Sequence, residues 1–164
     1  MKTGSKLVKC LFVLSVLCMF LIPGIVSAGN SMLTVQTAGN ASNAAAGESG
    51  ASISAAALIS VVVTDSLGKP VENLGSDIGD GTSEINLPTG WTLATGFNVP
   101  PGACLMTPTQ FYNAGDGIYV IRVVPYVHGN GCTWLSGTYH YAVSIESKGK
   151  KPYTGSGLGE LVIE

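Results

Sequence analysis

From Ala55 onward, apolar and polar residues alternate with a period of two, and Gly, Pro and Asn break the chain into short β-rich runs, the spacing of an all-β sandwich. Leu58 to Thr64 is β-branched and stops at the turn signal Asp65-Ser66-Leu67-Gly68-Lys69-Pro70. Trp91, Leu93, Thr95, Phe97 and Val99 alternate with Thr92, Ala94, Gly96 and Asn98, so one face is apolar until Pro100-Pro101-Gly102 ends the run. Ile118 to Val127 is apolar on both parities apart from Arg122, which predicts a central strand, and Asn130-Gly131 marks a tight turn after it. Tyr139, Tyr141, Val143 and Ile145 share one face of the next strand, with Thr138, His140, Ala142 and Ser144 on the other. A last strand is expected at Glu160 to Ile163, after a flexible Gly155-Ser156-Gly157-Leu158-Gly159. No segment carries a helical stripe.

The beginning of the chain follows another pattern. Lys2, Lys6 and Lys9 precede an apolar run from Leu11 to Ile22, then Pro23 and Gly24, and Val26-Ser27-Ala28 places small or medium residues at the −3 and −1 positions of a cleavage site. Residues 1–28 therefore read as a secretory signal peptide, too short to span a bilayer, with no membrane span expected after cleavage. Cys18 lies inside the apolar run behind Val16 and Leu17, which argues against lipidation. Residues 29–54 are dominated by Gly, Ala, Ser, Thr and Asn and read as a flexible linker with one short strand at Met32 to Thr37, leaving residues 55–164 as the sandwich. Within the linker, Asn40-Ala41-Ser42 has the form of a glycan acceptor.

Composition narrows the function. The 164 residues are 46% hydrophobic and 11% charged, which excludes a disordered or coiled-coil chain. Loss of the three leader lysines leaves five basic against ten acidic residues, a net charge of −5 and a poor match to nucleic acid. The expected address is secreted, periplasmic or cell-surface.

Cleavage also removes Cys10 and Cys18 and leaves Cys104 and Cys132, 28 positions apart. An even pair in an exported chain reads as a disulfide. Zinc is the competing use, with His128 four residues before Cys132 and His140 eight after it, but no C-x-x-C pair supports it.

Two stretches carry a family resemblance. TDSLGKPVENL, Thr64 to Leu74, resembles the strand and turn that open many bacterial immunoglobulin-like and macroglobulin-like modules, where Asp, Gly and then Pro-Val recur at this spacing. DGIYVIRV, Asp116 to Val123, is similar to their later strand, which begins Gly-x-Tyr. The resemblance implies an immunoglobulin-like antiparallel β-sandwich built for adhesion, spacing or protein contact, with Tyr119 as the corner tyrosine that bonds back to the chain just upstream. It transfers no active-site residue, and the Cys pair is closer in sequence than the inter-sheet bridge of antibody domains.

Enzyme chemistry finds no foothold. There is no G-x-S-x-G elbow, and the Gly157 cluster precedes a strand, where no helix N-terminus is available to hold phosphate. His140 falls on the outward parity of its strand and His128 in a turn. Asp77, Asp80 and Glu84 crowd one loop and are a weak calcium candidate, although their spacing is not that of an EF-hand; a solvated acidic turn is the alternative. Trp91, Tyr139 and Tyr141 belong by parity to the core, Trp134 has the parity of Cys132, and Tyr112 and Tyr126 are unassigned. The expectation is a non-catalytic module without cofactor that contacts a protein or another component of the cell envelope. Carbohydrate or calcium binding is the alternative and a small secreted hydrolase the third.

Overall fold

The computed structural model describes residues 31–47, 56–74, 87–95, 98–127, 130–147 and 152–164, with the side chains of 126–131 left aside. Every named element among them is a strand: β1 (Ser31–Met32), β2 (Thr34–Asn40), β3 (Ala57–Thr64), β4 (Trp91–Ala94), β5 (Met106–Gly115), β6 (Ile118–Val127), β7 (Asn130–Gly131), β8 (Gly137–Glu146) and β9 (Tyr153–Ile163). They form two sheets packed as a sandwich. One has the order β1-β9-β8-β4 and the other β2-β3-β6-β5, with the short β7 on the end of β6. All pairings are antiparallel except β1 with β9.

The alternation read from sequence sets which face is buried. Ile59, Val61 and Val63 of β3, Tyr119, Ile121 and Val123 of β6, and Tyr139, Tyr141 and Val143 of β8 are wholly buried between the sheets. Each such side chain removed from water contributes roughly 1.5–3 kcal/mol. At the centre Trp91 stands edge-on to Phe111 at 4.9 Å and tilted against Tyr119 at 5.2 Å, so three strands are keyed together by one aromatic cluster. Trp134 is fully buried, edge-on to Tyr139 at 5.2 Å.

The central strand expected over Ile118 to Val127 is β6, held between β3 and β5. Its hairpin with β5 turns on Asp116 and Gly117, whose φ values of 52° and 71° are the pair that a tight two-residue connection demands. The run from Trp91 to Val99 forms a shorter strand than its alternation suggested. β4 stops at Ala94, and Asn98 reaches back only to give its carbonyl to the His140 N–H.

Two expectations are corrected. Residues 31–47 belong to the sandwich: β2 pairs with β3 over all seven of its residues, and Leu33, Val35 and Ala44 join the core. The segment that was to be a flexible run before a four-residue strand is instead the middle of the eleven-residue β9. The two errors have one physical cause. β2 and β9 run side by side so closely that side chains do not fit between them. A Cβ on Gly155 would meet Leu33, one on Gly157 would lie 2.6 Å from the Val35 carbonyl, and one on Gly39 would collide with the Glu160 carbonyl. The glycines are the contact surface, and the Thr37 hydroxyl crosses it to donate to the Leu158 carbonyl at 2.8 Å. Because β1 pairs with β9 and β2 with β3, one short stretch of chain joins both sheets and seals this side of the sandwich.

Candidate functional site

Cys104 and Cys132 are bonded to each other, with Cα atoms 6.2 Å apart, inside the ordinary range for a disulfide. The bridge ties the approach to β5 to the exit from β7, at the pole of the sandwich where β6 ends and β8 begins. Cys132 is thereby spent as a thiolate ligand. His128 lies outside the described residues, and among those described no group of three His, Cys, Asp or Glu side chains is gathered for a metal.

The acidic loop with Asp77, Asp80 and Glu84 and the first 28 residues also fall outside the described residues, as does Phe97. The described residues flanking the acidic loop belong to the link between the end of β3 and the start of β4. The connection from β6 to β7 follows the far end of β6, so these two connections leave their strands at opposite poles.

The tyrosine assigned as a corner is a different device from the one expected. The Tyr119 hydroxyl donates to the Val71 carbonyl at 2.7 Å and accepts from the Leu74 N–H at 3.0 Å. Those partners lie 45 to 48 positions upstream, so Tyr119 is a long-range clamp that holds the segment after β3 against β6. The local corner belongs to Tyr139, at the start of β8. Its hydroxyl accepts from the Leu135 N–H at 2.9 Å and donates to the Leu135 carbonyl at 3.1 Å, four residues back. Burial raises the Tyr139 pKa, with the Leu135 hydrogen bond pulling the other way. Burial also raises that of Tyr141; Thr37 opposes this without meeting hydrogen-bond geometry, and the charge of Glu160 adds to it.

Outside the core, the sandwich offers two sheet faces of different character. On β8, Thr138, His140 and Ser144 point outward as their parity requires, and His140 Nδ1 lies 4.0 Å from a Glu160 carboxylate oxygen across the β8–β9 pair. Glu146 lies on the same face, beside a shallow groove of about 440 Å³ lined also by Met32, Ser144, Thr154 and Ser156.

The outer face of β2-β3-β6-β5 is organised around a bulge. Between Pro108 and Gln110 the β5–β6 register slips by one residue, and Thr109 is the extra one. Thr109 Oγ accepts from Arg122 Nη1 at 2.8 Å and donates to the Arg122 carbonyl at 3.3 Å, fixing the guanidinium on the face. The slip also turns Phe111 into the core and Tyr112 out of it, opposite Val120. Tyr112 is 48% exposed, and its hydroxyl donates to Gln110 Oε1 at 2.6 Å. A strict period of two from Met106 assigns Tyr112 to the buried face, so parity alone had no means of finding this residue; the Tyr126 side chain is among those not described.

No family model, no curated protein and no solved structure matches the chain. Among the described residues, no helix is long and apolar enough to cross a membrane.

Proposed function

We propose that this chain is an exported, non-catalytic immunoglobulin-like module that makes protein contacts at the cell surface, in the periplasm or outside the cell. The observation that carries the reading is the strand order. Counting β2, β3, β4, β5, β6, β8 and β9 as seven strands, the first, second, fifth and fourth form one sheet and the third, sixth and seventh the other. That is the distribution of constant-type immunoglobulin domains. Two details support it: a buried tryptophan, Trp91, on the third strand, and a tyrosine corner, Tyr139, at the start of the sixth. The Cys104–Cys132 bridge agrees with an oxidising compartment, where such bonds persist. A fold of this kind offers rigid faces and end loops as binding surface, and the proposed partner is a protein or another envelope component.

The test uses the exported protein as bait against the envelope of its own cell, with chemical cross-linking before extraction and the heat-denatured protein as control. A discrete partner retained only by the folded bait supports the reading. Retention equal to the denatured control overturns it, and turnover in a broad hydrolase screen that co-purifies with the protein overturns its non-catalytic part.

A further inference from the structure

We propose that the outer face of the β2-β3-β6-β5 sheet, centred on Tyr112, Gln110 and Arg122, binds a neutral polysaccharide. This goes beyond the protein-contact reading and does not depend on it. The argument begins with charge. The outward residues of this sheet comprise Thr34, Gln36, Ala38 and Asn40 on β2, the run from Leu58 to Thr64 on alternate positions of β3, Ile118, Val120 and Arg122 on β6, and Thr107, Gln110 and Tyr112 on β5. Arg122 is the one charged side chain among them, and it is hydrogen-bonded within the sheet by Thr109. The opposite outer face differs, carrying Glu146 and Glu160. An uncharged ligand rich in hydroxyls loses little by desolvating the first face, while a polyanion or polycation finds no row of opposite charge among these described residues.

The face also has both chemistries that a sugar ring presents. A pyranose has an apolar C–H face and a polar rim. Tyr112 supplies an exposed aromatic ring on the edge strand, continued by Val120 opposite it and by Ile118 and Val62, which are 39% and 36% exposed. Beside that strip, the hydrogen bond from the Tyr112 hydroxyl occupies Gln110 Oε1 and fixes the amide, orienting its NH2 group as a donor, and the Arg122 guanidinium stands in the next row. Side chains held by hydrogen bonds on a sheet lose little rotamer freedom when they bind, which is how a weak array of contacts becomes a usable site. The bulge at Thr109 is what assembles the group. Without it Tyr112 turns inward and Arg122 loses its clamp.

The experiment is a depletion assay of the intact protein against insoluble cellulose, chitin and xylan and a soluble mixed-linkage glucan, with melting temperatures measured in parallel. Retention on at least one of these is expected, reduced at least tenfold by Tyr112→Ala and several-fold by Gln110→Ala. Thr92→Ala, on the opposite sheet, should leave it unchanged. Because Tyr112 is half exposed, its variant should melt within a few degrees of the parent, which separates loss of a site from loss of the fold. No retention on any of the four overturns the proposal. So does retention that survives Tyr112→Ala, or a protein ligand captured through the same residues in place of a glycan.

Discussion

Replacing Gly157 with alanine tests the seam between β2 and β9. Gly157 has no positive φ, so its backbone suits any residue, and in an open strand the change to alanine stabilises by about 0.4–1 kcal/mol through the unfolded state. Here the new methyl would sit 2.6 Å from the Val35 carbonyl and 3.0 Å from Thr37 Cγ2. Neither strand is free to retreat. β9 is paired with β8 from Thr154 to Ile163, and β2 is paired with β3 along its whole length. The overpacking cost is therefore about 1–3 kcal/mol, opposite in sign to the intrinsic effect. For a domain of this size that lowers the melting temperature by roughly 3–15 °C, at about 3–5 °C per kcal/mol. Thermal and urea melts of Gly157→Ala beside Ser156→Ala, whose side chain is exposed on the other face of β9, read the difference. A Gly157→Ala protein as stable as the parent or more so would refute the close contact and return residues 31–47 to the status of a tether.

Further outcomes follow from the core, the corner and the bridge. Tyr141→Ala should cost about 3–5 kcal/mol in chemical denaturation, whereas His140→Ala, on the outward face, should stay within about 0.5 kcal/mol; the reverse pattern would mean a register off by one residue. Tyr139→Phe leaves the Leu135 backbone groups without their hydroxyl and should cost about 1–3 kcal/mol in the same assay. Thiol titration of the exported, non-reduced protein should find no free cysteine, and reduction should remove about 3–4 kcal/mol, the closure entropy of a 28-residue loop. With the Tyr139 and Tyr141 pKa values raised on folding, the stability they confer is whole below pH 10 and lost as pH climbs from 10 through the folded-state values, so melts between pH 9 and 12 should fall steadily; a flat profile would contradict their burial.

What the sequence could disclose was governed by side chains that signal. Strands β3, β6 and β8 announce themselves because Val, Ile and Tyr alternate on a half-buried surface, and the same alternation assigned Trp91, Tyr139, Tyr141 and Val143 to the core and His140 to the exterior. The Cys104–Cys132 bridge followed from counting. Of β2, only a short strand over Met32 to Thr37 was legible, and the first half of β9 was not, for the opposite reason: their packing is made by glycine, and hydropathy reads glycine as looseness. β5 escaped because Pro108 and the bulge at Thr109 break its period, and with it went the orientation of Tyr112. Tyr119 and Tyr139 differ only in where their hydroxyls reach, Val71 and Leu74 for one and Leu135 for the other, and no local pattern separates a tyrosine that closes 45 residues from one that closes four.

The parallel course of β1 and β9 has a mechanical meaning. Ser31 lies beside Tyr153 at one pole, and β9 then travels its eleven residues, roughly 36 Å at 3.3 Å per residue, to bring Glu164 to the other, where its carbonyl is held by the Ala46 N–H. A force that pulls Ser31 and Glu164 apart is therefore directed along the seam, sliding two parallel strands past each other, and the Ser31 and Leu33 amide bonds, the Thr37 bond and the interlocked glycine contacts carry the load together. Strands peeled from one end yield one bond at a time, whereas strands loaded lengthwise resist until all yield at once. A sandwich pulled from these two residues would resist in the second way.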